Sequence, residues 1–376
     1  MTTRRQFTVA AAASMLAAPA LLRAQGSNKI ILGQSAAFTG PAAELGIQFN
    51  HGAKLWFDQL NAQGGVAGKT VEIRNLDDGY EPDRCAANTQ KLISEDVFAL
   101  FGYIGTPTSL AALPLLTKAQ IPFIAPFTGA MGLREPFNRQ VFHLRASYND
   151  ETALIVKQLT HLGLKKIAVF YQNDAYGKAG LDGVTLALGQ MNLKPVAQAT
   201  VERNSVDVAA AVKTLTAAAP DAVVQISAYK SCAAFIREAR KAGYGGTFYN
   251  VSFVGTQALA DELGRQAMGV VVSQVMPFPF SMTTSVSREY LAAVQRAGGN
   301  NKPNYSSMEG YVAARLFVEG MRRAGRTLTR DTLIAGLETV QSMDLGGFMV
   351  GYSNHSHVAS RFVDLSMLTD DGRVRV

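Results

Sequence analysis

From Lys29 onward the chain alternates between short apolar runs and longer stretches in which apolar residues return every three or four positions. Residues 29–34 carry the trio Ile30-Ile31-Leu32, short enough for a buried strand. Ala53, Trp56, Phe57 and Leu60 then share one helical face until Gly64-Gly65 ends the repeat. Strand-like runs follow at 71–76, 98–101, 121–125 and 141–144, with helical repeats at 82–95 and 107–119 between the first three. Alternation of this kind predicts a parallel sheet with helices on both faces.

The pattern then begins again. Helices at 150–162, 178–191, 206–218 and 231–242 alternate with strands at 166–171, 195–200, 222–226, 247–251 and 270–275. After Pro277-Phe278-Pro279 come helices at 285–296, 307–323 and 330–337, then strand-like 348–352 and 361–368. The prediction is two similar α/β lobes, 25–146 with 278–343 and 147–277 with 344–376. The chain would cross between them near Ala146, Pro277 and Asp344, where the pattern shifts and Pro or Gly punctuates it. A chain of this length exceeds what one core usually organises, which fits two domains.

Ahead of this pattern Thr3-Arg4-Arg5-Gln6-Phe7 precedes residues 8–22, which are small and apolar, carry no charge and are broken by Pro19. The segment 1–24 reads as a twin-arginine export signal, too short and too weakly apolar for a stable span, with small-residue cleavage at Ala24. A retained tether is the other reading. Without Arg4, Arg5 and Arg23 the 36 basic residues become 33 against 29 acidic ones, a net charge of +4. This mild excess comes without a Lys/Arg cluster interleaved with aromatics, so no nucleic-acid partner is expected. Cys85 and Cys232 could pair in an oxidising compartment, although their spacing does not call for it, and two isolated cysteines cannot hold an iron–sulfur cluster.

In open parallel sheets ligands bind at the carboxyl ends of the strands. The loops there are polar, small or aromatic: 35–40, 102–106, 126–129, 173–177, 227–230 and 252–255. In Gly105-Thr106-Pro107-Thr108 the Thr106 side chain reads as a helix N-cap with Pro107 in first helical position, an arrangement that suits a carboxylate as well as it suits an ordinary capped helix. Tyr176 and Tyr229 could close over an apolar or planar ligand, or pack the interface between lobes. Phe278, Phe280 and Trp56 read as packing residues.

Catalytic look-alikes fail on inspection. In 64–70 the glycine-rich stretch ending Gly68-Lys69-Thr70 lacks the first glycine of a phosphate loop, where Gln63 stands, and a strand rather than a helix follows. Ser227-x-x-Lys230 lacks partner motifs, and His355 and His357 flank Ser356 in a polar segment that reads as a turn rather than a metal site. No cofactor or metal is expected.

Across the whole span after the signal, the chain resembles the branched-chain amino acid (Leu/Ile/Val) family of periplasmic binding proteins. The marks are Phe38-Thr39-Gly40-Pro41, Asn61-Ala62-Gln63-Gly64-Gly65-Val66-Ala67-Gly68, Asp77-Asp78-Gly79-Tyr80-Glu81-Pro82, Ile121-Pro122-Phe123-Ile124-Ala125-Pro126, Asn173-Asp174-Ala175-Tyr176-Gly177 and 237–243. The resemblance implies a type I periplasmic binding fold, two Rossmann-like lobes closing on a ligand. It implies a monomer in the periplasm that serves the membrane permease of an ABC importer. It carries the carboxylate-binding hydroxyl onto Thr106, with further ligand contacts at Phe127, at Gly129 or its neighbour Thr128, and at Tyr176 and Tyr229; Phe38, Ser252 and Phe253, in the loops that follow strands, complete the candidate site. Two departures stand out. The acid that holds an amino acid's ammonium falls at Ser252, and the family's disulfide positions fall at Tyr80 and Gly105. A carboxylate ligand without an α-amino group, an organic or aromatic acid, is therefore expected, with a branched-chain amino acid as the next choice. A ligand-sensing role and a twin-arginine-exported enzyme remain the alternatives.

Overall fold

The computed structural model describes residues 28–299 and 302–376; the twin-arginine segment lies outside them. The first sheet takes β1 (Lys29–Ala36), β2 (Thr70–Asp77), β3 (Ala99–Phe101), β4 (Phe123–Ile124) and β5 (Val141–Phe142) in the order β2-β1-β3-β4-β5, all parallel. Helices α1 (Ala43–Ala62), α2 (Pro82–Ser94) and α3 (Thr106–Ala119) connect them. The α1 stripe is as predicted, with Ala53, Phe57 and Leu60 buried and Trp56 half-buried, edge-on to Tyr311 at 5.4 Å, and it extends back to the buried Phe49.

The second unit runs α4 (Tyr148–His161), β6 (Ile167–Gln172), α5 (Ala175–Gly189), β7 (Gln198–Val201), α6 (Ala209–Ala217), β8 (Ala222–Ile226), α7 (Tyr229–Lys241), β9 (Thr247–Asn250), α8 (Thr256–Leu263) and β10 (Val271–Gln274). Helix α8 was not anticipated, since eight residues are too few for periodicity to register. Helices α9 (Ser285–Ala297), α10 (Tyr305–Arg323) and α11 (Arg330–Glu338) follow, then a two-residue pairing of β11 (Met343–Asp344) with β12 (Met349–Val350), and finally β13 (Asp364–Leu368) and β14 (Val374–Arg375). The second sheet has the order β14-β13-β10-β9-β8-β6-β7. Its strands β6 to β10 are parallel, whereas β13 and β14 run antiparallel at one edge, so this sheet is mixed. The C-terminal strands pair through a tight turn, which needs no helical crossover.

Helix α10 returns to the first lobe by close contact with α1. A Cβ at Gly52 would run into the backbone of Ser307, and one at Gly310 into the backbone of Phe49, so both positions require glycine for the helices to approach this closely. The third crossover lies beyond Asp344. The His143 amide donates to His357 O at 2.7 Å and the Ala359 amide to His143 O at 2.8 Å, and Tyr352 packs edge-on to Phe142 at 5.2 Å, so residues 351–359 still belong to the first sheet's end. The chain joins the second sheet only at Asp364. This stretch is irregular backbone without a hydrophobic period, so sequence pattern carries no boundary there.

Cys85 and Cys232 are free, each buried, one in α2 and the other in α7, and burial pushes both thiols above their usual range. Among the described residues no helix is long and apolar enough to cross a membrane, and no three His, Cys, Asp or Glu side chains gather as a metal site.

Candidate functional site

The strand ends of the two sheets face each other, and the loops that follow them meet. From the first lobe come Tyr80, after β2, and Phe127, after β4; from the second come Tyr148 and Tyr176, in the first turns of α4 and α5, and Phe253, in a 3-10 turn after β9. Phe253 is the hub, with ring centroids 4.5 Å from Tyr176, 5.7 Å from Phe127 and 5.8 Å from Tyr80, and Tyr148 lies 5.4 Å from Tyr176. All five are buried. Ring contacts at these separations lie in the favourable aromatic range, so the lobes close on an apolar wall contributed by both.

Thr106 is the first residue of α3 rather than its cap. Gly105 holds the cap position at φ +100°, and a Cβ there would collide with the Tyr80 ring, so the backbone and the packing both select glycine. The Thr106 hydroxyl thus turns away from capping duty and meets the Thr128 hydroxyl at 2.6 Å; the Thr128 hydroxyl also accepts the Ala130 amide at 3.2 Å. The first turn of α3 leaves backbone amides without intrahelical acceptors, at the positive end of its dipole. Gly129 accepts the Tyr148 amide at 2.8 Å, which docks the start of α4 on this loop.

Tyr176 enters the wall because Asp174 caps α5, its carboxylate accepting the amides of Tyr176 and Gly177. The Tyr176 hydroxyl is buried without a hydrogen-bond partner, as is Oε1 of Gln172 at the end of β6. Burial holds the Tyr176 phenol well above its ordinary pKa, so it is neutral and free to donate. Gln172 Nε2 donates to Asp174 at 2.6 Å and to the Tyr80 hydroxyl at 3.3 Å across the lobes.

Behind the aromatic wall runs a buried polar chain. Arg145, in the first crossover, forks onto Glu309 of α10 and reaches the Ser252 hydroxyl at 3.2 Å, its guanidinium 3.8 Å over the Phe127 ring. Glu151 of α4 accepts the Ser252 amide at 2.7 Å, the Ser252 hydroxyl at 3.1 Å and the Ser273 hydroxyl at 2.5 Å. Burial raises the Glu151 pKa even though Arg145 and these donors act the other way.

The structure therefore brings Thr106, Phe127, Thr128, Gly129, Tyr176, Ser252 and Phe253 to the interlobe region. Two expected residues stand apart from the aromatic cluster. Phe38 is half-buried, its amide held by Asp77 at 2.8 Å, and the Tyr229 hydroxyl faces the backbone amide of Glu44 on the first lobe. The sequence reading missed Tyr80, Arg145, Tyr148, Glu151 and Gln172 as site residues. Arg145 did carry a signal, a lone arginine between Leu144 and Ala146 directly after a strand.

Two α/β lobes that meet on a shared, buried wall of aromatic and hydroxyl groups have the architecture of a type I periplasmic binding protein. The chain belongs to the periplasmic binding protein family, whose sequence profile matches residues 29–373. Among its relatives, the Leu/Ile/Val-binding protein homolog 7 of Brucella suis biovar 1 is 26% identical over 321 residues, covering 80% of this chain and 78% of that one. A crystal structure described as a possible leucine/isoleucine/valine-binding protein from Rhodopirellula baltica superposes with a TM-score of 0.87 at 33% identity, over 92% of this chain and 95% of the other. A substrate-binding periplasmic protein from Ralstonia solanacearum superposes with a TM-score of 0.87 at 30% identity, over 92% and 99% of the two chains.

Proposed function

We propose that this chain is the periplasmic solute-binding component of an ABC importer, exported by its twin-arginine segment, and that its cleft captures a small organic acid, aromatic or aliphatic, lacking an α-amino group. In this reading the ligand carboxylate takes the Thr106 and Thr128 hydroxyls and the open amides at the start of α3. Its apolar body lies against Phe127, Phe253 and Tyr80, and Tyr176 donates to a polar atom at the far end. Capture is by lobe closure, without covalent chemistry or cofactor, and the closed monomer is presented to the permease.

The observation that carries the ligand class is the state of the acids around Ser252. Glu151 is consumed by the amide and hydroxyl of Ser252 and by Ser273. Glu309 is paired with Arg145. Asp174 is taken by the α5 amides, Gln172 and Arg203. A ligand ammonium in the closed cleft would find none of these three carboxylates free, at a cost of several kcal/mol. The relatives named for leucine, isoleucine and valine favour a second reading, a branched-chain amino acid.

Mass spectrometry of ligand released from freshly purified protein, followed by calorimetry with the released compound, tests both. Phenylacetate, benzoate derivatives and branched-chain keto acids should bind where leucine, isoleucine and valine do not. The reverse outcome removes the organic-acid reading and leaves the importer role standing.

A further inference from the structure

With the lobes together, the groups that a captured carboxylate would use are already engaged with one another. The Thr106 and Thr128 hydroxyls bond to each other at 2.6 Å. The rings of Tyr176, Phe127 and Tyr80 gather around the ring of Phe253, at centroid distances of 4.5, 5.7 and 5.8 Å. None of these six residues is more than 1% exposed, so no space for a solute lies beside them. A close-packed interior admits nothing more without losing something it holds. One of these side chains therefore has to give up its place before a solute can take it.

Phe253 is placed to do so. It lies in the three-residue 3-10 turn Ser252–Val254, whose root belongs to the second lobe: the Ser252 amide and hydroxyl go to Glu151 at 2.7 and 3.1 Å, and the Val254 amide donates to the Val251 carbonyl at 3.0 Å. Its tip reaches the first lobe. Phe253 meets Tyr80 and Phe127, and Gly255, at φ +79°, brings the turn so close to α1 that a Cβ there would collide with the Leu45 side chain. The two first-lobe rings are anchored where they stand, since the Phe127 amide donates to the Tyr103 carbonyl at 2.8 Å and the Tyr80 amide to Asp78 at 2.8 Å. When the lobes part, the turn leaves with the second lobe, and Phe253 withdraws from a socket that stays behind.

We propose, on the reading of the cleft as the capture site, that Phe253 is a tethered plug: its ring fills the socket of Tyr80 and Phe127, holds part of the ligand-free population closed, and competes with the incoming solute for that place. A wall contact and a plug have opposite signatures. Truncating a wall contact weakens capture, whereas truncating a plug strengthens it. Apparent affinity scales with the fraction of molecules that are competent to bind, so a plug that occupies about half to nine-tenths of them weakens capture about two- to tenfold.

The test is small-angle scattering and calorimetry on the parent, Phe253→Ala and Phe253→Leu, each titrated with phenylacetate and with leucine. Without ligand, Phe253→Ala should be more expanded than the parent, and it should contract further on saturation. It should bind whichever of the two compounds the parent binds about two- to tenfold more tightly. Phe253→Leu, which keeps an apolar contact but not the ring, should fall between the two. Phe253→Ala removes a buried aromatic and could unfold, in which case Phe253→Leu, its fold checked by circular dichroism, carries the comparison. A folded variant that binds more weakly than the parent makes Phe253 a wall contact and overturns the proposal, as do equal ligand-free radii of gyration in parent and variant. If neither phenylacetate nor leucine binds the parent, both ligand readings fail, and the ligand-free radii still decide whether Phe253 is a plug.

Discussion

Arg145 and Glu309 meet in a two-bond fork, Nε to Oε1 at 2.8 Å and Nη2 to Oε2 at 2.7 Å, although one lies in the first crossover and the other on the helix that returns to the first lobe. Their side chains are 1% and 3% exposed. Burial works against the guanidinium's charge, yet the Glu309 carboxylate more than offsets it and the Arg145 pKa ends above its ordinary value. The pair fixes the crossover against α10 while Arg145 reaches on to Ser252 in the second lobe.

Breaking that pair should therefore cost more than deleting it. Glu309→Gln leaves a buried guanidinium without its counter-charge and should destabilise the protein by about 3 to 5 kcal/mol. The double replacement Arg145→Met with Glu309→Leu, apolar and of similar volume, should cost less than either single change. Urea unfolding of Glu309→Gln, Arg145→Met, Glu309→Leu and the double variant decides it; a Glu309→Gln loss below about 1 kcal/mol would mean the pair is not a structural tie.

Thr106→Ala should weaken a carboxylate ligand by about 1 to 2 kcal/mol, roughly 5- to 30-fold, the loss of one hydrogen bond to a charged group while the α3 amides stay in place. Its melting temperature should hardly move, because Thr106 bonds only to Thr128 and does not cap the helix. Calorimetry with the ligand recovered from the native protein reads it, and unchanged affinity takes Thr106 out of the contact.

How far this site could be read in advance depends on the range of the interactions that make it. Thr106, Phe127, Thr128, Tyr176 and Ser252 were legible because each sits directly after a strand, where the alternation of strands and helices marks the cleft. The error at Thr106 was local: a Thr before a Pro has the look of a cap, and only the collision between a Gly105 Cβ and the Tyr80 ring shows why the cap falls one residue earlier. Tyr80 itself was hidden by its φ of +65°, an unusual backbone for a tyrosine that no periodic pattern encodes. Glu309 lay inside a clear helical repeat, but nothing in that repeat says that a residue 164 positions away supplies its counter-charge. Long-range pairing of charges is a property of the packed lobes.

The pH dependence of stability should carry the mark of Asp78. Burial pushes its carboxyl up to about 6, against the Ser35 hydroxyl and Tyr80 amide that bond to it. Its ordinary value is 3.8, so the folded protein holds the proton more tightly than the unfolded chain. The stability tied to that proton is fully present below about pH 4, falls as pH rises to about 6, and is gone above it, a change of about 1 to 3 kcal/mol. Asp77, lowered to about 2, acts in the separate window below pH 4 with opposite sign. Asp78→Asn should consequently be more stable than the parent at pH 7, relative to their difference at pH 4.5. Equal differences at the two pH values in urea unfolding would rule Asp78 out.

The closed arrangement is latched at its rim by Arg203, just past β7 on the second lobe. Its Nη2 meets Glu81 of the first lobe at 2.8 Å and its Nη1 meets Asp174 at 3.3 Å, while the neighbouring Asn204 amide donates to Glu81 at 2.8 Å and to the Gly79 carbonyl at 3.0 Å. Glu81 also sits at the start of α2, where its negative charge suits the helix dipole whether or not the latch is made. Arg203 is a quarter exposed and Glu81 more so, which limits the ion pair to about 0.5 to 1 kcal/mol of closure free energy. Arg203→Ala should then lower ligand affinity roughly two- to fivefold, leave unfolding of the separate lobes nearly unchanged, and remove part of the salt dependence of binding, since a partly exposed pair is screened by added salt. Small-angle scattering gives the geometric side of the same claim. If the lobes close by hinge motion about the three crossovers, the parent should contract when ligand is added, and Arg203→Ala without ligand should be at least as expanded as the parent without ligand. Glu81→Gln combined with Arg203→Ala should cost less than the sum of the two, because each single change already breaks the same contact. An additive double variant, or a radius of gyration that stays fixed when a ligand proven to bind is added, would leave the rim contact as a feature of one conformation with no part in closure.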